Sequence, residues 1–104
     1  MIVCYNSAMA MVVGICTLHL SIPENMDLKG KRRVLQGLIA KLRDSFNVAI
    51  SEVGEQDKWQ VATLGIVSVA NDSSYVHGLL TKAVEMVDRI RVDAVVLDYE
   101  IEIL

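Results

Sequence analysis

Lys29, Lys31, Arg32 and Arg33 fall within five consecutive positions, Lys41 and Arg43 follow, and no acid interrupts them between residues 28 and 43. Clustered cations of this kind suit a polyanion. Placed at the start of a helix they gain the helix's own unpaired N–H groups as further donors, which is the chemistry of a phosphate site. The same cations sit badly on the positive end of the helix dipole, where each exposed one costs about 0.3 to 1 kcal/mol. Two compensations remain open from sequence. One is an anionic ligand such as an RNA phosphate; the other is internal pairing with Glu24, Asp27, Glu52, Glu55 and Asp57 as a solvated, ion-paired face.

A second, smaller constellation is Glu52 with Asp57 and the sole tryptophan, Trp59. Two carboxylates beside an aromatic ring can serve acid/base work or orient arginines. They can equally cap their own turn while the indole packs against a helix. Other chemistry lacks residues. The glycines stand singly at 14, 30, 37, 54, 65 and 78, so neither GxGxxG nor GxxxxGK[ST] occurs and no phosphate-cradling loop is present. No serine lies in a GxSxG elbow, and neither Cys4 nor Cys16 has a nucleophile's local signature. Cys16 and His19, three apart on a strand, point to opposite faces and cannot share a metal ion unaided. His19 reads as an ordinary strand residue and His77 as a solvated helix residue. The expectation is a chain without cofactor, metal or catalytic residues.

The elements that place these residues follow from periodicity. Val12, Cys16, Leu18, Leu20 and Ile22 share one parity, against Thr17, His19 and Ser21, and Pro23 ends this first strand. Asp27 stands as a cap before Leu28, Val34, Leu35, Leu38, Ile39, Leu42 and Phe46, whose spacing is that of an amphipathic helix. Val48 to Val53 and Trp59 to Ala70 read as a hairpin around Gly54-Glu55-Gln56-Asp57. Val76, Leu79, Leu80, Ala83, Val84 and Val87 mark a second helix. Val95, Leu97, Tyr99, Ile101 and Ile103 then alternate with Asp98, Glu100 and Glu102 in a half-exposed last strand. The order βαββαβ predicts an α+β, ferredoxin-like sandwich: an antiparallel sheet in the order 4-1-3-2 with two helices on one face.

That topology gathers Lys29, Lys31, Arg32, Arg33, Arg89 and Arg91 with the hairpin loop at one end of the sheet. It also leaves the opposite sheet face without a helix, showing Val13, Ile15, Thr17 and His19 from the first strand and Val96, Asp98, Glu100 and Glu102 from the last. Apolar faces of this kind are seldom left in water, so a homo-oligomer is expected. The face lacks the central aromatics on which an RNA-recognition motif stacks bases.

The 104 residues are 53% apolar and 22% charged, with net charge −3, enough for one core and one domain. The acidic balance excludes a basic nucleic-acid binder read from whole-chain charge, although the first helix concentrates six of ten cations. Two cysteines without metal-type spacing indicate reduced thiols in a cytoplasmic protein. The uncharged stretch before Glu24 lacks a positive n-region and contains Asn6, Ser7 and His19, so no membrane segment is expected. Residues 1 to 10 precede the first alternation and are expected to form an extension outside the domain at 11–104, contributing neither strand nor core.

The runs MVVGICTLHLSIP from Met11, DLKGKRRVL from Asp27, FNVAISEVGEQDKWQ from Phe46 and the closing VVLDYEIEIL resemble the YlxP-like family of small bacterial proteins. Its most specific pieces here are Leu28-Lys29-Gly30-Lys31-Arg32-Arg33, Glu52-Val53-Gly54, Gln56-Asp57 and Trp59-Gln60. The resemblance implies a ferredoxin-like fold with no assigned activity and no catalytic residue. Members often lie beside genes for translation initiation and ribosome maturation, which implies work near the ribosome. Together these readings give a non-enzymatic module binding ribosomal or other RNA through Lys29, Lys31, Arg32 and Arg33, with Glu52, Asp57 and Trp59 as a supporting cluster. The competing reading is an oligomeric interaction or regulatory module acting through its apolar sheet face.

Overall fold

The computed structural model describes residues 10–90 and 93–104. Alternating burial makes β1 (Val12–Ser21) the centre of the sheet, with Gly14, Cys16, Leu18 and Leu20 turned to the helices. The chain continues through α1 (Leu28–Ser45), β2 (Ala49–Gly54), β3 (Val61–Ala70), α2 (Ser73–Ile90) and β4 (Val95–Ile103). All pairings are antiparallel and the sheet order is β2-β3-β1-β4, so the fold is the expected ferredoxin-like one. One core joins the strands to Leu35, Leu38 and Leu42 of α1 and Val76, Leu80, Ala83, Val84 and Val87 of α2.

Local chemistry sets the ends. The Asp27 carboxylate accepts from the Gly30 N–H at 2.7 Å, capping α1. At the far end the Phe46 N–H donates to the Leu42 carbonyl at 2.9 Å as the chain turns extended. Asp72 starts α2 in the same manner, accepting from the Tyr75 N–H at 2.8 Å. β3 begins at Val61 rather than Trp59, because the Trp59 and Gln60 carbonyls are taken by Asn25 and Ile22 instead of a strand ladder.

The last strand departs from its expected alternation. His19 faces Asp98 but Leu20 faces Val96, so Leu97 is an extra residue and the phase reverses there. Val96 therefore packs toward the core opposite Leu20, not on the open face, while Val95 and Leu97 are exposed. Periodicity cannot reveal a bulge inside the continuous apolar run Ala94-Val95-Val96-Leu97. The expected extension at 1 to 10 lies outside the described residues except Ala10, which is exposed and in no strand, and Arg91 also lies outside them.

Gly78, inside α2, has open space where a side chain would project. Gly78→Ala is therefore expected to raise stability by about 0.5 to 1 kcal/mol in urea unfolding, since alanine is the better helix former and meets nothing.

Candidate functional site

α1 begins against the β2–β3 hairpin, and Lys31 holds the two together. In the first turns of α1 its stem enters the core edge, and the side chain is 1% exposed. Its Nζ lies 2.9 Å from Glu52 Oε2 and donates to the carbonyls of Glu55 at 2.7 Å and Val61 at 3.2 Å. Glu52 can reach it because Glu52 pairs with Leu64 and so faces the helices. That Glu52 oxygen is itself buried, and among the described residues it has no hydrogen-bond partner, only the ammonium at ion-pair distance. Glu55 adopts a left-handed backbone, φ 63°, and its carbonyl also accepts from the Lys58 N–H at 3.1 Å. Strain in the loop is thus coupled to the buried cation.

Lys31 is accordingly removed from the expected set of phosphate contacts: an ammonium wrapped by one carboxylate and two carbonyls has no face left for a ligand. Glu52 and Asp57 do not form an acid/base pair either. Glu52 turns inward to Lys31, whereas Asp57 is exposed on the loop, lining a shallow cleft with Lys58, Trp59, Gln60 and Val61. Internal pairing therefore explains one of the four clustered cations.

A second set of bonds fixes the segment before α1 to the same hairpin. The Asn25 amide donates to the Asp27 carbonyl at 2.6 Å and to the Trp59 carbonyl at 2.5 Å. The Gln60 amide donates to the carbonyls of Pro23 at 3.2 Å and Asn25 at 3.0 Å. Gly30 permits this approach, since a Cβ there would lie 2.2 Å from Asn25 Oδ1. Asn25 was not singled out by sequence, and Gln60 only through the family resemblance; the available signal was a glycine in the first helical turn, where propensity disfavours it.

What remains on the surface is Lys29, Arg32 and Arg33, all exposed and, among the described residues, without a carboxylate at ion-pair distance. Capping leaves the Leu28 and Lys29 N–H groups without an intrahelical acceptor. The backbone of Trp59, a residue 52% exposed, is tied to this helix start because Asn25 bridges its carbonyl to that of Asp27. Arg33 also lines a cleft of about 270 Å³ with Glu24, Asn25, Gly30 and Asp93, whose carboxylates weaken the positive field on that flank. Lys58 pairs with Glu55 at 2.9 Å, which raises its pKa, chiefly through that hydrogen bond. Arg43 donates to the Ile50 carbonyl at 3.1 Å, and Arg89 is exposed in the last turn of α2.

Residues 13–101 match the family described as "Protein of unknown function (DUF503)". The chain belongs to this DUF503 family. It is 31% identical over 77 residues to "Uncharacterized protein YlxP" of Bacillus subtilis (strain 168), a match spanning 74% of this chain and 84% of that protein. Among solved structures it resembles "De novo designed protein Foldit4", with a TM-score of 0.52 and 12% identity over 90% of this chain and 96% of the other; this likeness concerns the fold alone. In this DUF503 chain the runs that carry the YlxP-like resemblance converge in space. Gly30, Lys31, Glu52 and Gln60 are the parts that fasten α1 to the hairpin.

The other chemistry-bearing groups are structural. Burial pushes the Cys16 thiol up to about 11, because the thiolate would lose its hydration. Native protein at pH 8 should therefore leave Cys16 unalkylated by iodoacetamide in peptide mapping, with reaction on adding denaturant; prompt native labelling would contradict the packing. His19 Nδ1 lies 3.2 Å from Thr63 Oγ1, and no group of three metal-ligating side chains occurs among the described residues. Nor is any helix among them long and apolar enough to cross a membrane.

Proposed function

We propose that this DUF503 chain is a non-enzymatic module that binds single-stranded RNA, ribosomal RNA in the setting implied by the YlxP-like resemblance, at the start of α1. The observation that carries the reading is the set Lys29, Arg32 and Arg33, left without carboxylate partners among the described residues while Lys31 beneath them is fully engaged. These cations contact phosphates together with the free N–H groups of the first turn. The exposed Trp59, whose backbone Asn25 ties to the start of α1, would offer a base a stacking surface, and such stacking tolerates any sequence.

Anisotropy of a labelled oligouridylate tests this. Affinity should fall with salt with a log–log slope of about −2, as three phosphate contacts on a single strand require. Arg32→Glu with Arg33→Glu should weaken binding about tenfold, equally for uridylate and adenylate strands, because phosphate contacts do not read bases. Absence of binding at low salt sinks the reading.

The uncovered sheet face supports a second reading, a module that pairs with a copy of itself. Val69 is 51% exposed there, beside the partly buried Val13, Ile15 and Val67. Sedimentation at micromolar concentration should then show a dimer that persists after nuclease treatment, and a monomer removes this reading.

A further inference from the structure

β4 is one of the two sheet edges, and no strand among the described residues pairs with its outer side. The Leu104 N–H donates to the Val13 carbonyl at 2.8 Å, which fixes the phase of the ladder. In an antiparallel pair the peptide groups alternate, so those of Glu102 and Glu100 face β1 while those of Ile103, Ile101 and Tyr99 point outward. The Tyr99 N–H is held by the Asp98 carboxylate at 2.8 Å; the outward N–H groups of Ile101 and Ile103 have no neighbouring strand among the described residues. The opposite edge is closed differently. β2 has six residues, a register shift near Val53, and an Arg43 side chain on its Ile50 carbonyl.

Side chains on β4 are segregated. Tyr99 and Ile103, 43% and 38% exposed, lie on the helix side, opposite Leu18 and Gly14. Asp98, Glu100 and Glu102 lie on the open face, opposite His19, Thr17 and Ile15, and none has a cation at ion-pair distance among the described residues. We propose that the free edge of β4 docks an extended basic peptide segment of another protein, added to the sheet as a fifth strand. Backbone bonds to Ile101 and Ile103 supply the pairing. Alternate Lys or Arg side chains of the segment meet the carboxylate row, and its intervening apolar side chains lie beside Tyr99 and Ile103. A second copy is the wrong occupant. Two β4 strands joined edge to edge about a two-fold axis keep their open faces on one side, which brings both carboxylate rows together.

A peptide of alternating Val and Lys is the probe, read by anisotropy and by amide exchange. Saturable binding is expected, with slowed exchange at the Ile101 and Ile103 N–H groups. Glu100→Gln with Glu102→Gln should weaken it about tenfold, and a Val/Glu peptide should not bind. Ile103→Pro removes an outward N–H without breaking a bond to β1, and should abolish the slowed exchange at Ile101. Failure of the Val/Lys peptide to bind overturns the proposal. So does binding that leaves both amides unprotected, which would mean adhesion to the acidic row only, and so does a dimer formed through β4.

Discussion

Replacing Lys31 by Met is expected to lower the free energy of unfolding by about 3 kcal/mol, a larger loss than truncating any neighbouring cation. The aliphatic stem is conserved in the change, so the loss is electrostatic. Glu52 Oε2 would remain buried with its single polar neighbour gone, and the carbonyls of Glu55 and Val61 would lose a charged donor. Glu52 keeps about a fifth of its side chain in solvent, which moderates the loss relative to a fully enclosed pair. Arg32→Met serves as the comparison and should change stability by no more than about 0.5 kcal/mol, because Arg32 is exposed and unpaired. Pairing Lys31→Met with Glu52→Leu should recover part of the loss, since an apolar pair leaves no charge stranded. Urea unfolding of the parent and the three variants measures this; equal effects for Lys31→Met and Arg32→Met would refute the buried contact.

The contrast between Lys31 and Arg32 also shows why the fold was legible in the sequence and the site only half so. Strand and helix faces follow from parity and from spacings of three and four, which survive any packing detail, so β1, α1 and the sheet order were readable. A lysine's burial depends on what lies opposite it in space. Lys31 falls in a basic run, and its place four residues before Leu35 and seven before Leu38 puts it on the buried face of α1, a spacing its charge masks; the β2 register that turns Glu52 toward α1 supplies the partner that sequence could not name. The phase reversal at Leu97 escaped for a related reason: Ala94 to Leu97 is an unbroken apolar run, so the pattern carries no mark of the extra residue. Backbone acceptors leave no trace in side-chain chemistry at all. The Glu55, Trp59 and Val61 carbonyls that organise the helix start could not be named from composition or spacing.

Gly30→Ala should destabilise the protein by about 2 kcal/mol, against the usual gain when alanine replaces glycine in a helix. The added methyl would stand 2.2 Å from Asn25 Oδ1 and 3.0 Å from Asp27 Oδ1. Asn25 must then move, and its two donated bonds, to the Asp27 and Trp59 carbonyls, go with it. Asn25→Ala alone should cost about 1 kcal/mol for the lost, partly solvated bonds. In that background the obstacle is absent, so adding Gly30→Ala should be neutral or stabilising. This reversal of sign is the measurement, since two independent sites would simply add. The same cycle reaches function. Asn25 ties the Trp59 backbone to the start of α1, so Gly30→Ala should shift the indole emission and weaken oligouridylate binding even at temperatures where the domain stays folded. Asn25→Ala should weaken that binding comparably, with Gly30→Ala adding nothing further. If both variants bind RNA as the parent does, Trp59 is outside the RNA contact and the phosphates are held by the α1 cations alone.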